Sequence, residues 1–172
     1  MRVLAKITAL LILGTAVTVA TSKAGPGGGA KAFEKLKAMA GHWESGPSAR
    51  MKTTLDIQVV SGGSVVMEQS RVEEKGTTVN MVTMYYLDGD QLKLTHYCMA
   101  GNQPTMRGSY SPETKTITFD FISATNLKSA DDGHMHHAVY KFVDPDHVTE
   151  AWTFRKDQKD AFTEEFEYLR TR

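Results

Sequence analysis

The sequence predicts an all-β fold: an antiparallel up-and-down β-barrel of about ten strands behind one short N-terminal helix. Three observations carry that reading. From Gly41 to Arg170 apolar and polar residues alternate in short runs, the period-two pattern of half-buried strands. Tight-turn residues separate most runs, as in Ser61-Gly62-Gly63, Asp88-Gly89-Asp90 and Asp144-Pro145-Asp146. A meander of so many strands must hide its edges, and closing on itself hides them completely.

The elements follow in chain order. Gly25-Pro26-Gly27-Gly28-Gly29 is a flexible leader without core-forming content. Phe33, Leu36, Met39 and Ala40 recur at helical spacing, so a short amphipathic helix is expected over residues 30–40, stopped by Gly41. The first strand begins at Gly41-His42-Trp43 and breaks at Gly46-Pro47. Strands are then expected at 51–60, 64–73, 77–87 and 91–99. Asn102-Gln103-Pro104 is read as a turn before a strand at 106–110, and Ser111-Pro112-Glu113-Thr114 as the turn before 115–123. Residues 124–133 form the longest loop. Strands at 134–143, 147–155 and 161–170 complete the set.

The chain has 172 residues, and its start reads as a secretory signal peptide. Arg2 and Lys6 form a positive n-region, and residues 7–20 an apolar stretch too short for a comfortable membrane span. Ala20 and Ala24 each end a small-residue cleavage site. The expected division is signal peptide and leader at 1–24 and one barrel domain at 25–172, secreted or periplasmic, with no stable membrane anchor after cleavage. Cleavage after Ala20 removes Arg2 and Lys6, leaving 18 basic against 20 acidic residues and a net charge of −2. No basic run suggests nucleic acid as a partner. A single cysteine excludes an internal disulfide, so stability must come from core burial.

Candidate site residues follow from strand phase. Leu92 and Leu94 face the core and carry His96 and Cys98 to the same side. In the strand from His134, Lys141 belongs outside, which turns His134, His136, Ala138 and Tyr140 inward. In the next strand Glu150 shares a face with Val148, Trp152 and Phe154. In the last, Glu164 lies between Phe162 and Phe166. The interior is therefore aromatic at its centre and polar in places. A small packed barrel does not normally hold so many polar groups, and a cavity resolves the conflict.

Several chemistries fit such a cavity. In a pocket for a small hydrophobic or amphipathic ligand, His96, His134 and His136 fix a polar head and Trp43, Trp152 and Phe119 pack an apolar body. Tyr140 and Glu150 share the wall, and Asn102 and Gln103 rim the mouth beside Cys98. In a metal site, His134 and His136 stand two residues apart on one strand and His96 or Cys98 completes the set for zinc or copper. The same groups can also be structural. An enzyme would use Cys98 with a histidine as a thiolate-imidazolium pair, though side chains at i and i+2 run parallel and do not readily meet. No phosphate loop, dinucleotide fingerprint or serine elbow is present. No cofactor is specified by these residues.

A short helix followed by Gly41-x-Trp43 at the first strand resembles the lipocalin and calycin superfamily. Gly41-x-Trp43-x-x-Gly46 is also similar to the first-strand motif of nitrobindin-like haem proteins. The segment from Thr95 to Pro104, with His134-Met135-His136-His137, resembles a family of secreted bacterial proteins of unknown function with a lipocalin-like domain. The resemblance implies the barrel and a secreted address, and no established activity. Nitrobindin-like proteins hold haem through a histidine on a late strand. The last strand here contains none, so haem binding through barrel histidines would need another position.

Overall fold

The computed structural model describes residues 28–47, 49, 51–74 and 76–171. The segment read as a signal peptide and leader, with both cleavage sites, lies outside the described residues. Helix α1 (Gly28–Lys37) precedes ten strands: β1 (Gly41–Ser45), β2 (Lys52–Val60), β3 (Val65–Glu74), β4 (Thr77–Asp88), β5 (Gln91–Tyr97), β6 (Gln103–Ser111), β7 (Thr116–Thr125), β8 (His134–Asp144), β9 (His147–Lys156) and β10 (Lys159–Arg170). Each strand pairs antiparallel with its sequence neighbours, and β10 closes the barrel on β1 through Trp43↔Arg170 and Ser45↔Tyr168. This is the fold that the alternation predicts. Among the described residues no helix is long and apolar enough to cross a membrane.

One boundary differs in kind. Asn102-Gln103-Pro104 is not all turn, because β6 already starts at Gln103. Pro104 has no N–H to donate, yet it is tolerated in the strand: β5 and β6 pair only up to Thr95↔Thr105, so Pro104 stands where β5 has parted. The turn itself is tighter than expected. Gly101 N–H donates to the Cys98 carbonyl at 3.0 Å, and Cys98 N–H to the Asn102 carbonyl at 3.2 Å. Gly101 sits at φ 82°, a conformation that costs glycine little.

The two barrel ends differ. At one end α1 lays Ala32, Phe33 and Leu36 over β4, β5 and β6. Beneath it Leu92, Leu94, Met106, Ile117 and Phe119 are fully buried and form a packed core. The helix is held by both of its ends. A Cβ on Gly29 would stand 2.0 Å from the Asp90 carbonyl oxygen in the β4–β5 turn. Alanine ordinarily favours a helix over glycine by about 1 kcal/mol. Here Gly29→Ala is expected to destabilise the protein, because backbone occupies the space. A urea midpoint at or above that of the parent would refute this close approach.

At the other end of α1, Trp43 Nε1–H donates to the Met39 carbonyl at 2.8 Å. The Arg170 guanidinium lies 4.2 Å over the Trp43 ring and donates to the Ala40 and Ala38 carbonyls at 2.6 and 2.8 Å. The last strand thus supplies the cation that satisfies carbonyls just past the helix end.

Candidate functional site

At the end of the barrel away from α1 the interior opens into a cavity of about 490 Å³. Its walls are mostly apolar, from Met51, Val72, Val79, Met81 and Phe166, with Thr53, Ser70, Thr77 and Glu164 among them. Met99 and Phe162 are exposed at its mouth. Its floor is polar and buried. Strand register explains why: Glu68 of β3 stands opposite Thr83 of β4, and Thr83 opposite His96 of β5, so these three lie in one inward row. On the far wall Tyr140 of β8 stands opposite Glu150 of β9. Glu68, Thr83, His96 and Glu150 are all buried, as are Tyr85 and Tyr140 below them.

The floor groups are linked to one another. Tyr85 OH donates to Glu68 Oε2 at 2.9 Å, and the hydroxyls of Tyr85 and Tyr140 are 2.6 Å apart. Tyr85 has a single hydrogen, so Tyr140 donates to it and the chain runs Tyr140, Tyr85, Glu68. Trp152 Nε1–H donates to Glu150 Oε2 at 3.1 Å. His96 Nδ1 meets Thr83 Oγ1 at 2.9 Å, and its ring lies 4.9 Å from that of Trp152. Three buried polar atoms of cavity-lining residues, Thr53 Oγ1 in the wall and His96 Nε2 and Glu150 Oε1 in the floor, have no hydrogen-bond partner among the described residues. Orphaned buried polar atoms are uncommon and call for an explanation.

Burial sets the protonation states. It pushes the Glu68 carboxyl up to about 7, partly offset by the Tyr85 hydroxyl. It raises Glu150 well above the usual carboxyl range, helped by the negative charge of Glu68. His96 is pushed down to about 4 by burial. Near neutral pH the floor therefore presents a neutral imidazole and a protonated Glu150. Burial also raises the hydroxyls of Tyr85, Tyr140 and Tyr168 well above their usual value.

Of the residues singled out in the sequence, His96, Glu150 and Trp152 line this cavity. Tyr140 lies beneath it. Trp43 does not reach it, and Phe119 belongs to the packed core: both sit toward α1, where the barrel is filled. Cys98 lies in the β5–β6 turn, accepting from the Ala100 N–H at 3.5 Å, and burial raises its thiol above the usual value. That disfavours the thiolate an enzyme of the cysteine type needs. His96 turns its Nδ1 to Thr83 instead. Asn102 and Gln103 serve the loops: Asn102 Nδ2 donates to the Gly133 carbonyl at 2.8 Å, and Gln103 Oε1 accepts from Thr125 and Asn126.

The inferred convergence of His96 with His134 and His136 is corrected by the geometry. A register shift between Met135 and His137 turns Met135 into the cavity wall. His134 and His136 lie instead against Phe121, with ring centroids 4.5 and 4.8 Å from it. His134 Nδ1 is 2.8 Å from the Asp132 carbonyl, which can only accept. Nε2 of a neutral His134 therefore accepts from Nδ1–H of His136 at 3.0 Å. The pair satisfies itself. Among the described residues no group of three His, Cys, Asp or Glu is placed to hold a metal ion.

Tyr168 shares the inward phase of Phe162, Glu164 and Phe166 and lines the cavity, whereas Glu68 and Tyr85 are site residues that strand phase was not used to find. A signal existed for Glu68. In residues 64–73, Val66, Glu68, Ser70 and Val72 share one face, and Arg71 belongs to the other. The lysine argument applied to β8 would have turned Glu68 inward.

With the barrel and its cavity described, comparison with known proteins places the fold. No family model and no curated protein matches the chain. Among solved structures it is similar to Rv2717c from M. tuberculosis, with a TM-score of 0.60 at 14% identity over 82% of this chain and 98% of that one. The S-type phycobiliprotein lyase CPES from Guillardia theta aligns with a TM-score of 0.45 at 12% identity, over 83% of this chain and 92% of that one. The first likeness supports the barrel fold alone.

Proposed function

We propose that this protein binds a small amphipathic molecule inside the barrel, apolar body against Val79, Met81 and Phe166, polar head on the floor. One observation carries the reading: an apolar-walled cavity of about 490 Å³ ends on two buried polar atoms, Glu150 Oε1 and His96 Nε2, that no described residue satisfies. Cavities of that size with few convergent polar groups are typical ligand sites, and a head group would supply the missing partners. The signal-peptide reading goes with this: the protein would act outside the cytoplasm, and sequencing the N-terminus of the mature protein tests that address.

Trp152 is the built-in reporter, since it lines the cavity while Trp43 is buried within the packed core. Titration with a hydrophobic fluorescent probe at micromolar concentration is expected to quench or shift tryptophan emission saturably. Trp152→Phe should abolish the change and Trp43→Phe should preserve it. The absence of any saturable change in the folded parent protein would end the ligand reading.

A further inference from the structure

The cavity has an uneven chemistry that the proposed binding leaves unused. Glu68, Glu150 and Glu164 line it, and among the described residues no lysine or arginine does. Glu68 and Glu150 are only 3% and 2% exposed, and no basic side chain acts on either carboxyl. Buried acids are normally paired with a cation or fully hydrogen-bonded. Here Glu150 Oε1 is neither, and the unpartnered His96 Nε2 lines the same cavity. Trp152, Phe166 and Tyr168 bring aromatic rings to the same space.

These features select among head groups. A carboxylate or phosphate would meet acids and, among the described residues, no cation. A neutral hydroxyl could satisfy Glu150 but would leave both acids buried and unused as charges. An ammonium has three donors and no acceptor, which suits acceptor oxygens and aromatic faces together. Resting on the small-ligand reading above, we infer that the head group is a protonated amine, held against Glu150 and Glu68 with Trp152 beside it.

The charge balance follows. An ammonium that pairs with the protonated Glu150 does so only as that carboxyl releases its proton. One amine enters as the cation, one proton leaves to solvent, and the floor stays neutral overall. The groups facing these acids are Tyr85, Tyr140 and Tyr168, the imidazole of His96, and Glu164 on the cavity wall. The tyrosines hold their protons well into alkali and His96 is neutral above about 4. The buried acids are therefore the groups that exchange the proton near neutrality. Protons and the amine compete, so amine affinity falls as pH falls.

The test compares decylamine, decanol and decanoate by titration calorimetry on the full protein, in two buffers of different ionisation enthalpy. Decylamine is expected to bind at least about tenfold tighter than decanol. It should release up to about one proton per molecule near neutral pH, and its affinity should rise by up to about tenfold per pH unit there. Decanol should show neither effect, and decanoate should be the weakest. Glu150→Gln should remove about tenfold more affinity for decylamine than for decanol. Glu68→Gln is the second variant, and the proton count on the unaltered protein decides if neither folds. Decylamine binding no tighter than decanol, or with no proton released, overturns the amine while the small-ligand reading stands. If none of the three binds, the small-ligand reading itself fails.

Discussion

The stability difference between the parent protein and Glu68→Gln is expected to drop by about 3 kcal/mol between about pH 4 and pH 9. Folding raises the Glu68 carboxyl from 4.5 to about 7 through burial. A raised acid binds its proton more tightly folded than unfolded. Its contribution is therefore complete below pH 4.5 and is lost as pH rises through about 7. Glu150 acts in the same direction, because burial and the Glu68 charge both hold its proton. His96 has the opposite slope. Its folded value is depressed from 6.5 to about 4, so its contribution is complete above 6.5 and is lost as pH falls toward 4. Between about pH 4.5 and 6.5 the histidine offsets one carboxyl. Above that window only the acids act, and the protein should weaken steadily. Denaturant unfolding across the pH series checks this. Parent and Glu68→Gln curves that stay parallel would show that Glu68 is not buried as a neutral acid.

Trp43→Ala should cost about 3–5 kcal/mol, the range for emptying a buried aromatic site. Trp43 is 1% exposed and joins three parts of the chain. Its indole N–H holds the Met39 carbonyl at the end of α1, its ring carries the Arg170 guanidinium, and its backbone pairs β1 with both β10 and β2. Alanine removes the ring and the donor together, and the Arg170 fork that reaches the Ala38 and Ala40 carbonyls loses its platform. The expected result is a lower melting temperature with faster hydrogen exchange in α1 than in β3 to β6. Because Trp43 lies away from the cavity, probe binding should survive in conditions where the variant is folded. A loss below about 1 kcal/mol would mean that the helix is held without the tryptophan.

The degree to which the cavity could be read from the residues varied with strand regularity. Glu150, Trp152, Phe162, Glu164 and Phe166 alternate without interruption over the lining part of β9 and β10, and the inferred faces are the ones that line the cavity. His134 and His136 were assigned inward by the same rule, and there it misled. The register shift at Met135/His137 inserts an extra residue opposite β9, and a one-residue slip reverses the faces beyond it. Nothing in His134-Met135-His136-His137 marks that shift as a glycine or proline would. Trp43 failed for another reason. Its inward phase was right, but phase says nothing of depth, and Trp43 belongs to the filled end of the barrel.

Alternation, turn residues and the spacing of Phe33, Leu36 and Met39 determined the architecture: a helix, then a meander that closes. They determine it because side-chain direction in a strand and in a helix is a local property of the backbone. The tertiary structure decided which layer each inward residue occupies and which polar atoms remain without a partner. Glu68 and Glu150 are far apart in sequence, and each looks like an ordinary strand glutamate. Only closure of the barrel puts them in one buried layer with Tyr85 and Tyr140, where each acid raises the proton affinity of the other groups through space. Burial and through-space charge depend on the whole closed surface, and no local window of residues contains them.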